Sequence, residues 1–218
     1  VQAFAKIDTN ASRLVFVAPD VPPLGYKTFY VAQADEKAAP QSSAKEDSAQ
    51  SGELPVENRF YRMALVPGGI RSIYDKEQRR ELLKTDRFLG GEVFTMLSVA
   101  PDNRGAGTDA GEFGAVPMPV MDDSFDRVAR HSPEWKRLEA GAVRTVYGLE
   151  LPWKNTTVRQ RVVMWNTLKR IDCEVELADF DGTLWREFRM AMPLALDKPA
   201  ITYEVPMGVV QIGRDEVP

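Results

Sequence analysis

Ile171-Asp172-Cys173-Glu174-Val175-Glu176-Leu177 alternates apolar and acidic residues without a break. A period of two puts Ile171, Cys173, Val175 and Leu177 on one face and the three acids on the other. That is the pattern of a half-solvated antiparallel strand. Asp181-Gly182 follows and reads as a hairpin turn into a strand over 183–190. Upstream, 157–165 is β-rich, and in 143–151 Val143, Thr145, Tyr147, Leu149 and Leu151 share a face. Residues 93–99 make another β-rich run. Residues 58–66 and 69–75 flank Pro67-Gly68-Gly69, a turn that tolerates positive φ. Residues 201–205 add a further strand, and only 78–84 and 132–138 suit short helices. Strands punctuated by Gly and Pro turns predict an all-β fold, an antiparallel β-sandwich.

The chain changes character along its length. Residues 1–32 read as the terminal strands of a preceding, smaller β domain, with 12–17 as a strand and a proline-punctuated bend at Pro22-Pro23 before a short one. Residues 33–55, dominated by Ala, Ser, Gln, Glu, Asp and Lys and lacking aromatics, read as a flexible linker that buries too little apolar surface to offset its ordering entropy. Residues 56–218 form the sandwich domain. A sequence that opens on a strand without a Met or signal-like region reads as part of something longer, and the domain is expected to be truncated at its C-terminus.

Composition closes several routes to chemistry. The 218 residues carry 28 Lys+Arg against 32 Asp+Glu, a formal net charge of -4, which argues against nucleic-acid binding. No apolar run approaches the ~18 residues of a membrane span. One cysteine excludes an internal disulfide framework, and one histidine excludes His-pair metal centres. His131, in Arg130-His131-Ser132-Pro133, reads as a surface or capping residue with helix-start character. Cys173 sits on the apolar face of its strand and reads as core. Gly105-Ala106-Gly107-Thr108-Asp109-Ala110-Gly111 imitates a dinucleotide fingerprint, but the proline-containing stretch after it cannot open the helix that would receive a pyrophosphate. The carboxylate pairs Asp122-Asp123 and Asp179/Asp181 come without activating partners. Trp135, Trp153, Trp165 and Trp185 read as packing residues, with Trp185 partly exposed.

Six segments, in order, carry a resemblance. They begin with Pro22-Pro23-Leu24-Gly25-Tyr26-Lys27-Thr28-Phe29 and Glu57-Asn58-Arg59-Phe60-Tyr61-Arg62. Gly68-Gly69-Ile70-Arg71-Ser72-Ile73-Tyr74-Asp75-Lys76 and Gly107-Thr108-Asp109-Ala110-Gly111-Glu112-Phe113 come next. Arg170-Ile171-Asp172-Cys173-Glu174-Val175-Glu176, with its aspartate-glycine turn, and Tyr203-Glu204-Val205-Pro206-Met207-Gly208-Val209-Val210 complete the set. Together they resemble the C-terminal β region of glycoside hydrolase family 38, the retaining α-mannosidases, across nearly the whole chain except the linker.

The resemblance implies a galactose mutarotase-like supersandwich within a larger enzyme. Its nucleophilic aspartate and its zinc, held by aspartates and histidines, lie in an N-terminal domain with no counterpart here. No catalytic or metal residue therefore carries over, and no cofactor is expected in this chain. The implied partners are an α-mannoside in the parent enzyme and the catalytic domain packed against this one, with no nucleic acid and no membrane. One family feature maps onto Ala110-Gly111-Glu112-Phe113, a loop that reaches toward the sugar in some members, making Gly111, Glu112 and Phe113 the candidate substrate-binding residues. Where those members place a tyrosine hydroxyl, Phe113 can only stack. A stand-alone carbohydrate-binding module and a mutarotase-like protein are the competing readings. Asn10-Ala11-Ser12 and Asn155-Thr156-Thr157 fit the glycosylation triplet, and an extracytoplasmic (periplasmic or secreted) location is the corresponding expectation.

Overall fold

The computed structural model describes residues 15–30, 52–97, 125–183 and 186–215. The fold is all-β, antiparallel and of sandwich type. The strands are β1 (Leu54–Glu57), β2 (Tyr61–Val66), β3 (Gly69–Asp75), β4 (Arg80–Glu81), β5 (Val93–Leu97), β6 (Asp126–Arg127) and β7 (Lys136–Ala140). They continue with β8 (Arg144–Trp153), β9 (Thr156–Trp165), β10 (Ile171–Ala178), β11 (Arg186–Met190), β12 (Thr202–Val205) and β13 (Gly208–Gln211). A 3-10 turn, Val128–His131, follows β6.

The sheets run β1-β2-β3-β4, β10-β9-β8-β7 and β11-β5-β6, with β12-β13 as a separate hairpin. The first two share one hydrophobic core. Leu54, Val56, Met63, Leu65, Ile70 and Ile73 from the first join Tyr147, Leu149, Trp153, Val158, Val162 and Met164 from the second. Val93 of β5 and Val128 of the 3-10 turn belong to the same cluster. Burial of the apolar members of these alternating strands is what drives the two sheets together.

Side-chain hydrogen bonds fix the joins. Asn58 Oδ1 accepts from the amides of Phe60 (2.9 Å) and Tyr61 (2.7 Å), while its Nδ2 donates to the Trp165 carbonyl at 3.0 Å. One residue thus shapes the β1–β2 turn and ties it to the end of β9. Trp135 is buried and its Nε1 donates to the carbonyls of Val66 (2.9 Å) and Gly69 (3.2 Å), pinning the approach to β7 against the β2–β3 turn.

Several expectations are corrected. Residues 78–84 form no helix; they carry β4 and an isolated bridge from Leu83 to Leu194. The helix expected over 132–138 is displaced upstream as the 3-10 turn, which ends at Ser132 in the left-handed region, and β7 occupies 136–140. Of the strand expected over 12–17, residues 12–14 lie outside the described residues and 15–17 carry no strand. Within 15–30 the chain makes a turn from Gly25 N–H to the Pro22 carbonyl (3.1 Å), and Phe16 meets Phe29 edge-on. β1 begins at Leu54, inside the stretch read as linker, and Leu54 is buried.

The largest correction concerns β10 and β11, which are not a hairpin. β11 pairs with β5, in register Phe188 to Thr95, and so belongs to another sheet. Asp179 (φ 55°) and Gly182 (φ 78°) turn the chain sharply, and Asp181 Oδ1 accepts from both the amide (2.9 Å) and the hydroxyl (2.6 Å) of Thr183. The aspartate-glycine turn is real, but it redirects the chain between sheets rather than folding it back on β10.

Candidate functional site

Asp126, in the short strand β6, gathers several donors and cations on one carboxylate. Two residues suffice to place it, because β6 pairs with β5 and the 3-10 turn folds back immediately. Its carboxylate is buried, and Oδ2 accepts from Trp153 Nε1 at 3.0 Å and lies 2.9 Å from His131 Nε2. Oδ1 accepts from the Arg127 amide at 2.8 Å. Lys154 Nζ stands 3.5 Å from Oδ2, and Arg130 reaches within 4.0 Å of Oδ1. Burial alone would raise the pKa of this group. The indole, imidazole and amide donors outweigh it and hold the carboxyl at about 2.

The same end of the sheets carries an aromatic series. His131 meets the edge of Trp153 at 6.1 Å, Trp153 meets Phe188 at 6.1 Å, and Phe188 meets Phe180 at 5.7 Å. Phe180 is 42% exposed, so the series runs from core to surface. Next to it, Asn155 Nδ2 donates to Asp181 Oδ2 at 2.5 Å, and the Asp181 amide donates to the Asn155 carbonyl at 3.0 Å. Thr156 Oγ1 donates to the Ala178 carbonyl at 2.7 Å. The β8–β9 turn and the β10–β11 connection are therefore laced into one polar rim around Phe180.

This arrangement suits recognition better than acid-base chemistry. A general acid must hold a proton near the working pH, and a carboxyl at about 2 does not. Among the described residues, His131 hydrogen-bonds to Asp126, which orients the ring at the mouth of the cluster. Glu92 is fully buried and its carboxylate is forked by Arg127 Nε (2.5 Å) and Nη2 (2.6 Å), with the Leu89 amide at 2.8 Å. That pair braces β6 from the other side.

The sequence-derived candidates fall unevenly. Gly111, Glu112 and Phe113, the glycine-rich loop before them, Asp122-Asp123 and Trp185 lie outside the described residues. His131 is brought to Asp126, a pairing that a five-residue spacing in a loop did not reveal; it ends a 3-10 turn instead of starting a helix. Trp135 and Trp153 are core residues, and Cys173 is half-buried with its thiol pushed up, first by burial and then by Asp172. Asp181 serves the turn and holds Asn155. Among the described residues, no group of three His, Cys, Asp or Glu side chains could hold a metal ion. No protein-family model matches the chain, and no curated protein matches it.

Proposed function

We propose that this chain is the non-catalytic β-sandwich portion of a family 38-like retaining α-mannosidase, supporting the catalytic domain and offering it a substrate-facing loop. The observation that carries the reading is the order and spacing of the six resembling segments. In the structure the 57–62 segment enters β2, the 68–76 segment spans β3, the 170–176 segment lies on β10, and the 203–210 segment spans the β12–β13 turn. Four of the six segments thus lie on strands and turns of the sheets, while 22–29 carries no strand and 107–113 lies outside the described residues.

In that role the sandwich supplies rigidity and surface, and the covalent glycosyl-enzyme chemistry belongs to the parent's catalytic domain. Loop 105–113 supplies the contact with sugar, with Phe113 stacking on a sugar face. Two measurements test the reading. The purified 218-residue chain, assayed on an α-mannoside with and without zinc, is expected to show no turnover. Sequencing the coding region upstream of Val1 is expected to reveal an aspartate-histidine zinc set. Zinc-dependent turnover by this chain, or an upstream region without such a set, overturns the proposal.

One observation favours a second reading, a carbohydrate-binding module. Phe180 presents an exposed ring beside the Asn155–Asp181 pair, the combination of stacking face and planar polar groups that sugars accept. Saturable binding of an α-mannoside by the isolated chain, lost in Phe180→Ala with the fold intact, would establish it.

A further inference from the structure

We propose that the free edge of β10 receives an extended strand of a partner polypeptide that alternates apolar residues with lysine or arginine. Among the described residues β10 is the terminal strand of its sheet and pairs only with β9, and the register from Ile171–Met164 to Ala178–Thr157 runs without a bulge. Edge strands are usually blunted by charged side chains, proline or a bulge. The 171–178 stretch has no proline or bulge, and its charges, Asp172, Glu174 and Glu176, are all acidic.

The inward rungs of the sheet show a face left half covered. Val158 of β9 is fully buried, whereas its partner Leu177 on β10 is 38% exposed. Gln160 is buried, whereas its partner Val175 is also 38% exposed. β11, the terminal strand of another sheet, comes near this face: its Met190, 44% exposed, lines a crevice with Cys173, Glu174 and Gln160. Cys173, Val175 and Leu177 on β10 and Met190 on β11 are thus only partly covered.

The outward rungs specify the charge of the occupant. Glu150 of β8, Arg159 of β9 and Glu176 of β10 stand in one row, with Arg159 2.9 Å from Glu150 and 3.4 Å from Glu176. Glu174 stands in register with Arg161 in the next row but one. In the Glu150–Arg159–Glu176 row the sign alternates from strand to strand, and in both rows β10 presents an acid, so the next strand outward is called on to be basic. A second copy of this chain does not fit, since pairing β10 with itself would set Asp172, Glu174 and Glu176 against their own kind. A strand with apolar side chains inward and cations outward satisfies both faces and takes up the free backbone groups of the edge.

The test uses the full chain and two capped nonapeptides, one alternating Lys with Val and one alternating Glu with Val. Fluorescence anisotropy gives binding, and hydrogen exchange followed residue by residue locates it. The Lys-Val peptide is expected to bind saturably and to slow exchange in 171–178, while the Glu-Val peptide binds at least tenfold more weakly. The double variant Glu174→Lys/Glu176→Lys is expected to weaken binding of the Lys-Val peptide at least tenfold. Glu150→Lys, two strands from the edge, changes it less than twofold. Failure to bind, equal binding of both peptides, protection away from β10, or a dimer of the chain paired through β10 would each overturn the proposal.

Discussion

Gly68 and Ala129 touch backbone to backbone. Gly68 has φ 83°, and a methyl group on its α-carbon would lie 2.5 Å from Cα of Ala129 and 2.7 Å from its amide nitrogen. The Gly68 amide also donates to the Pro133 carbonyl at 3.1 Å. The β2–β3 turn is thereby fitted against the 3-10 turn that carries His131, which is how the first sheet positions the Asp126 cluster.

Gly68→Ala adds left-handed strain, about 1–2 kcal/mol, to a clash with backbone that cannot rotate away. A total loss of about 3 kcal/mol or more is expected in urea denaturation. The perturbation should reach His131, read as a change in its imidazole NMR signals. A variant as stable as the parent chain would show that the contact is dispensable.

Asp126 makes stability depend on acid. Its folded pKa of about 2 lies below the ordinary 3.8, so the unfolded chain takes up the proton first as pH falls. The contribution is complete above roughly pH 5 and is lost as pH falls through about 2; the difference corresponds to about 2 kcal/mol. Asp126→Asn should lower stability at neutral pH and flatten the profile between pH 2 and 5. An unchanged slope in the variant would assign the acid sensitivity elsewhere.

Glu92 and Arg127 should show the asymmetry of buried ion pairs. Glu92→Ala leaves the Arg127 guanidinium without its carboxylate and is expected to cost about 3–5 kcal/mol. Replacing both, as Glu92→Leu/Arg127→Met, should recover much of that loss. A double variant worse than the sum of the singles would contradict the assignment.

Trp135→Phe keeps most of the buried ring and removes the Nε1 donor shared by the Val66 and Gly69 carbonyls. A cost of about 1–2 kcal/mol is expected. Trp135→Ala should cost about 3–5 kcal/mol, because it also opens a cavity between the β2–β3 turn and β7. Thermal denaturation of the two variants separates the hydrogen bonds from the packing.

Cys173 should react slowly. Burial and the neighbouring Asp172 carboxylate both disfavour its thiolate. Alkylation by iodoacetamide at pH 8 is expected to run at least tenfold slower than for glutathione and to become normal in urea. Fast labelling of the folded chain would mean that β10 opens readily.

Binary patterning by itself determined several strands, β2, β3, β5, β8, β9 and β10 among them, with the faces of β8 and β10, but not β1, β4, β6, β7 or β13. The alternation in 171–177, the apolar face of 143–151 and the Pro67-Gly68-Gly69 turn report local periodicity and φ preference, which the chain carries residue by residue. Pattern could not determine which strands become neighbours. Asp181-Gly182 has the chemistry of a hairpin turn, yet whether the next strand returns to β10 or crosses to β5 depends on which pairing buries Phe188 against Trp153. The same holds for the candidate site. Asp126, His131, Trp153 and Lys154 are ordinary residues in sequence, and only the packing of β6, the 3-10 turn and the β8–β9 turn brings one carboxylate under an indole, an imidazole and an ammonium group. Burial then gives those contacts their strength, because a charge removed from water is held by its few remaining partners.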